Sequence, residues 1–284
     1  LNWRADYVAV LNDRDSALDL SGWVTLTNQS GTSYKNARLK LIAGTVNRVY
    51  APSPRLMRAE MAVADAKASS AFSEQAFFEY HIYDLNRPTT IKDKQEKQVS
   101  LMDADGVTVL KELIAENNQF YSFLQRFSPG STPKIPVQTF IRFKNSAENR
   151  MGMPLPAGIM RLYKKDPGGS MQFIGEDRIE HTPKDEEVRL KLGESFDVVA
   201  ERVQTDYQQI SPKIHESSWE VTLKNHKQEE QTVGVIEHLF GSWQVIQKSQ
   251  DFKKLDAERI RFDVKVPKDG QVKITYRIRV TNGE

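Results

Sequence analysis

Ile260-Arg261-Phe262-Asp263-Val264-Lys265-Val266 places an apolar residue at every second position with a charge in each gap. After Pro267-Lys268-Asp269-Gly270 the alternation resumes in Val272-Lys273-Ile274-Thr275-Tyr276-Arg277-Ile278-Arg279-Val280. Successive strand side chains point to opposite faces, so both runs read as strands with one face on a core and one in water. The turn residues between them predict a hairpin. Ile260, Phe262, Val264, Ile274, Tyr276 and Ile278 should then be buried, and Arg261, Lys265 and Arg277 should be exposed.

The same period recurs across the chain. Ala37, Leu39, Leu41 and Ala43 alternate with polar residues, as do Val188, Leu190 and Leu192. Asp166-Pro167-Gly168-Gly169 joins Ile159–Tyr163 to Met171–Ile174 as a second hairpin. Two stretches break the pattern. Pro54 to Gln75 is Ala- and Met-rich and reads as a helix or loop inserted between strands, whereas Val107 to Phe127 permits a helical stripe but opens like a strand.

Three strands end in Asn: Val24-Thr25-Leu26-Thr27-Asn28, Ile141-Arg142-Phe143-Lys144-Asn145 and Val221-Thr222-Leu223-Lys224-Asn225. Val24, Leu26, Ile141, Phe143, Val221 and Leu223 belong on the inward face; Thr25, Arg142, Lys144, Thr222 and Lys224 belong outside. Each strand is followed by a Lys-Asp turn, at Lys92-Asp93, Lys184-Asp185 and Lys268-Asp269. The Asn-to-Asp intervals are 65, 40 and 44 residues, and the first falls into line once the 54–75 insert is removed. Three units follow, 1–104 with the insert, 105–195 and 196–284, each near the roughly 100 residues of an Ig-like β-sandwich. The expected fold is all-β, with Ig-like sandwich units in series.

Composition narrows the function. With 284 residues and 39% hydrophobic content the chain can bury two or three cores. Its 40 basic and 38 acidic residues are interspersed, which leaves no footprint for nucleic acid. No apolar run is long enough for a transmembrane helix. The absence of cysteine removes disulfides and thiolate metal sites. The opening Leu1-Asn2-Trp3-Arg4 lacks an initiator Met and reads as a boundary inside a longer protein.

Motifs for chemistry are sparse. There is no glycine-rich phosphate loop, nucleophile elbow or zinc helix, and His81, His181, His215, His226 and His238 are dispersed. Asp13, Asp15 and Asp19 resemble a loose calcium turn, yet lack the bending glycine and the distal Glu. Glu176-Asp177-Arg178 with Glu180-His181 reads as a solvated strand edge. No catalytic, cofactor-binding or metal-ligating residue is assigned. Aromatic residues offer more. Trp219 shares a face with Val221 and Leu223 and should be core, its indole N–H paired. Trp23 lies in step with Thr25 and Thr27, on the opposite face from Val24 and Leu26. Trp23 and the turn-proximal Trp243 are the candidate partner surface.

Several stretches resemble the mucoidy-inhibitor-like proteins of bacteria, a family known mainly as a conserved domain of unknown function. They are Trp3-Arg4-x-x-Tyr7, Gly22-Trp23-Val24-Thr25-Leu26-Thr27-Asn28, Phe78-Glu79-Tyr80-His81-Ile82-Tyr83, and Gly175 through Asp185. The resemblance covers nearly the whole chain and implies an exported, periplasmic or otherwise extracytoplasmic protein of the cell envelope. The expected role is a non-catalytic binding or scaffolding module for an envelope protein or glycan. The alternative is a hydrolase of an envelope polymer, acting through carboxylates that meet between units.

Overall fold

A computed structural model describes residues 1–44, 72–118, 123–127 and 134–281. The protein is all-β, with 68% of residues in strands and 2% in helix. The first strands are β1 (Asn2–Leu11), β2 (Ala17–Thr27), β3 (Tyr34–Ala37), β4 (Lys40–Ala43), β5 (Phe72–Phe77), β6 (Tyr80–Leu85) and β7 (Thr89–Ile91). Then come β8 (Glu96–Thr108), β9 (Leu110–Asn117), β10 (Lys134–Ile135), β11 (Val137–Lys144), β12 (Gly158–Lys165), β13 (Met171–Ile179) and β14 (Glu187–Glu194). The last are β15 (Val198–Ser211), β16 (Ile214–Asn225), β17 (Gln231–His238), β18 (Ser242–Lys248), β19 (Lys253–Lys254), β20 (Arg259–Val266) and β21 (Gly270–Thr281). Among the described residues no helix is long and apolar enough to cross a membrane.

The described chain forms two compact units, 1–110 with 141–192, and 111–140 with 193–284. The stretch expected as a middle unit, 105–195, is divided between them, and the three divisions fall inside β9, β11 and β14. Sheet pairing explains how sequence neighbours part. In unit 1 the main sheet runs β13-β12-β1-β2-β8, with β1 paired parallel to β12 some 150 residues away. The sheets β4-β6-β5 and β3-β7 add strands to the same unit. Leu18, Leu20, Val24, Leu101 and Leu162 from the main sheet share one core with Leu41, Tyr83, Ile141 and Leu190.

Tyr7 fills the centre of that core. Its ring lies where a Cβ on Gly22 would come within 3.0 Å, and Gly158 leaves no room for a Cβ against the Ala5 carbonyl. Its buried hydroxyl donates to the Pro156 carbonyl at 2.8 Å, just as Tyr83 donates to Pro154. Burial pushes both phenols up, so both keep the proton they donate.

Unit 2 is a sandwich. The sheet β10-β15-β16-β21-β18 faces β9-β17-β20-β19 over a core that includes Trp219, Val221, Phe262, Val264, Tyr276 and Ile278. Trp219 is 1% exposed, and its Nε1 donates to Ser217 Oγ at 2.9 Å. All twelve residues expected on the inward face, from Val24 to Ile278, are buried. Thr25 and Thr222, expected outside, are buried as well. Both do lie on the outward face, where longer neighbours cover them. Thr25 Oγ1 donates to Asp6 and accepts from Gln98, while Lys224–Glu201 and Lys273–Glu220 ion pairs flank Thr222.

Strand pairing decides several local readings. Strands β20 and β21 form no hairpin: β20 pairs with β17 and β19, β21 with β16 and β18. Residues 267–269 therefore cross from one sheet to the other, because alternation fixes the buried face of a strand but not its neighbour. The 159–174 hairpin does form, as β12 and β13. Within the ambiguous 107–127 stretch Leu110–Asn117 form strand β9, and the alternating run from Ala37 to Ala43 breaks into β3 and β4 after a positive φ at Asn36. Of the 54–75 insert, 54–71 lie outside the described residues, and Phe72–Gln75 begin β5.

The three terminal asparagines share one arrangement. Asn28, Asn145 and Asn225 are each 0% exposed. Each Nδ2 donates to two consecutive carbonyls of a later crossover: Ile91 and Lys92, Thr182 and Pro183, Val266 and Pro267. Each also reaches a carbonyl of its own loop, Thr32, Met153 or Glu229. A positive φ follows two residues after the second carbonyl, at Lys94, Asp185 and Asp269. The equivalence in the first case is thus shifted by one from the Lys-Asp reading, with Lys94 in the place of Asp185.

Candidate functional site

The outward face of unit 1's main sheet carries Trp23. Period two places Trp23, Ser21 and Asp19 outside on β2, with Asp6, Val8 and Val10 outside on β1. The parallel β1–β12 register extends these into three rows. One is Trp23, Asp6 and Ile159; the next is Ser21, Val8, Arg161 and Glu176; the third is Asp19, Val10, Tyr163 and Phe173. Four residues separate the first row from the third along β1, about 13 Å at strand spacing.

The chemistry of these rows differs. Trp23 is half-buried, and Phe173 at the far end is 55% exposed and edge-on to Tyr163 at 5.6 Å. Ion pairs flank the Trp23 row and continue into the row between the two aromatic ends. Asp6 meets Arg4 at 3.1 Å and Arg161 at 3.6 Å, and Arg161 meets Glu176 at 3.1 Å. Arg4 also reaches Glu96, which accepts from Thr27. Two aromatic ends with paired charges between them can hold an extended ligand by stacking and hydrogen bonding. The Tyr163–Phe173 end went unrecognised in the sequence, since only the β1–β12 pairing brings it into register with Trp23.

Trp243, in unit 2, serves its own core. It is half-buried against the apolar cluster, its Nε1 donates to the Ala257 carbonyl at 2.8 Å, and Lys254 Nζ sits 4.8 Å from its ring centre. It lies in a different unit from Trp23.

Several members of the acidic clusters are engaged by neighbours. Asp15 pairs with Lys164, and Asp19 accepts from the Gly106 N–H at 2.8 Å. Asp177 accepts from the Lys191 N–H, and His181 from the Ala157 N–H. Among the described residues no group of three or more His, Asp or Glu is placed to hold a metal. In unit 2, Glu216 binds Arg277 and Arg279, and these hydrogen bonds, led by Arg279, hold its carboxyl below the usual range. That is the opposite of what a general acid requires. Three histidines meet polar partners: His81 Nδ1 with Glu74 and His238 Nε2 with Glu116, both at 2.7 Å, and His215 Nδ1 with the Tyr207 hydroxyl at 2.8 Å.

No model of a known protein family matches the chain, and no curated protein matches it in sequence.

Proposed function

We propose that this chain is a non-catalytic binding or scaffolding module of the bacterial cell envelope, built from Ig-like sandwich units, with the Trp23 face of unit 1 as its contact surface. The observation that carries the reading is the ordered face itself, with Trp23 and Asp6 in one row, Phe173 two rows away and the Arg161–Glu176 pair in the row between. An extended polymer, glycan or peptide, would lie along β1 and meet both ends. The extracytoplasmic setting rests on the resemblance of the Trp3-Arg4-x-x-Tyr7 and Gly22–Asn28 stretches to the mucoidy-inhibitor-like family.

The test is a pull-down from envelope extract, run beside a glycan array. Capture of one defined partner should be lost with Trp23→Ala and retained with Lys35→Ala, a charge away from these rows. Release of soluble fragments from a purified envelope polymer, abolished by one carboxylate substitution, would overturn the proposal in favour of a hydrolase.

A further inference from the structure

The hairpin of β5 and β6 ends in an anomaly. Phe77 pairs with Tyr80, so Phe78 and Glu79 form a two-residue turn, and Phe78 has φ 55°. The first residue of such a turn takes positive φ, where Gly, Asn or Asp sits with little strain and a bulky side chain is a true outlier. The protein holds a phenylalanine there, 84% exposed, beside Phe77 at 57%. Strain of this kind persists where function requires the side chain.

Chemistry changes in order down the hairpin face that carries Tyr80, Ile82 and Asp84, while the His81–Glu74 pair belongs to the alternate positions of the strands. Phe78 is at the tip, with Phe77 and the half-buried Tyr80 one step below. Ile42, 51% exposed, pairs with Ile82 further down. The Lys40–Asp84 ion pair, at 3.2 Å, lies four residues below Tyr80, or about 13 Å along the strand. An apolar tip, a phenolic ring beneath it and neutralised charge behind follow the gradient of a bilayer surface, where apolar faces sink roughly 5–10 Å and aromatic hydroxyls stop at the headgroups. The one charge in the turn is Glu79, so attraction to anionic lipid is not what drives the contact.

We propose that the Phe77-Phe78 tip docks on a zwitterionic lipid surface by shallow insertion. This contact is separate from the Trp23 face and stands or falls without it. The experiment is co-sedimentation of the whole chain with phosphatidylcholine vesicles at low and high salt. Wild-type protein should partition at both salt levels. Phe78→Gly should weaken partitioning by roughly tenfold to a hundredfold, the effect of removing one phenylalanine's worth of burial, while raising the melting temperature because glycine relieves the turn. Since the chain has no cysteine, Glu79→Cys carrying an environment-sensitive dye should report an apolar shift on adding vesicles. Failure of the wild type to partition would overturn the proposal, as would equal partitioning of Phe78→Gly. Self-association that needs Phe78, or capture only by anionic vesicles at low salt, would overturn it too.

Discussion

Replacing Asn225 with alanine tests the crossover arrangement at its best-defined copy. The side chain donates at 2.8 Å to Glu229, 3.2 Å to Val266 and 3.0 Å to Pro267, and accepts from the Lys227 N–H at 3.0 Å. None of it is exposed. Alanine removes the hub and leaves carbonyls and an N–H facing a small void. A buried group left without its partner costs about 1–3 kcal/mol, and water entering the void recovers part of that. The expected loss is about 3 kcal/mol, at the upper end of ordinary single substitutions. Asn225→Asp should be worse at neutral pH, because a carboxylate would face three carbonyl oxygens. Its folded pKa would rise above the unfolded value near 3.9, so stability present below that value is lost as pH climbs through the raised one. Urea unfolding followed by tryptophan fluorescence measures both, and acidification should narrow the gap between Asp and Ala. A loss below about 1 kcal/mol for Asn225→Ala would refute the reasoning, since the crossover would then hold without its asparagine.

Trp219→Ala should destabilise unit 2 by about 3–5 kcal/mol, the range for deleting a core aromatic. The residue touches Phe123 and Phe127 edge-on and lies 3.3 Å under the Arg202 guanidinium, and the same urea titration reads the loss. Glu216→Gln should remove part of the acid dependence of stability. The lowered carboxyl stabilises fully above its unfolded value near 4.3, and that contribution is lost as pH falls through the folded value, so melting curves across this range should flatten in the variant.

What could be read from the sequence was local. Whether Phe262 or Arg261 faces inward depends on alternation within one strand, and the twelve residues that alternation points inward are buried. Trp23 was placed outward on the same ground. What could not be read depends on which strands meet. The turn at Pro267 looks like a hairpin because turn residues bend the chain equally well within a sheet or between sheets, and the buried Asn225 amide holds it as a crossover. The Tyr163–Phe173 pair is aligned with Trp23 by a parallel pairing that no residue near β12 announces. Thr25 and Thr222 mark the limit of period two itself. It gives the direction of a side chain, while burial also depends on whether longer neighbours arch over a short one.

The division between inward and outward polar groups also bears on function. Glu237 sits at an inward position of β17, in step with Val233 and Val235, and Arg202 sits at an inward position of β15, in step with Val198 and Ala200. They meet at 2.9 Å with 0% and 2% exposure, and Asn117 and Tyr276 also donate to the carboxylate. Burial, then the facing carboxylate, pushes the Tyr276 hydroxyl well above its usual range, so the phenol remains a donor. A carboxylate bound on all these sides and closed to water presents no free oxygen to a substrate. A pair of charges in an apolar core is costly to leave unpaired, so any slip that separates β15 from its place opposite β17 is opposed by desolvation as well as by lost packing. The most deeply buried ion pair among the described residues of unit 2 therefore belongs to its architecture. The Glu237–Arg202 pair is thus a fixture of the unit 2 core, whereas the Trp23 rows and the Phe77-Phe78 tip lie outside any such core.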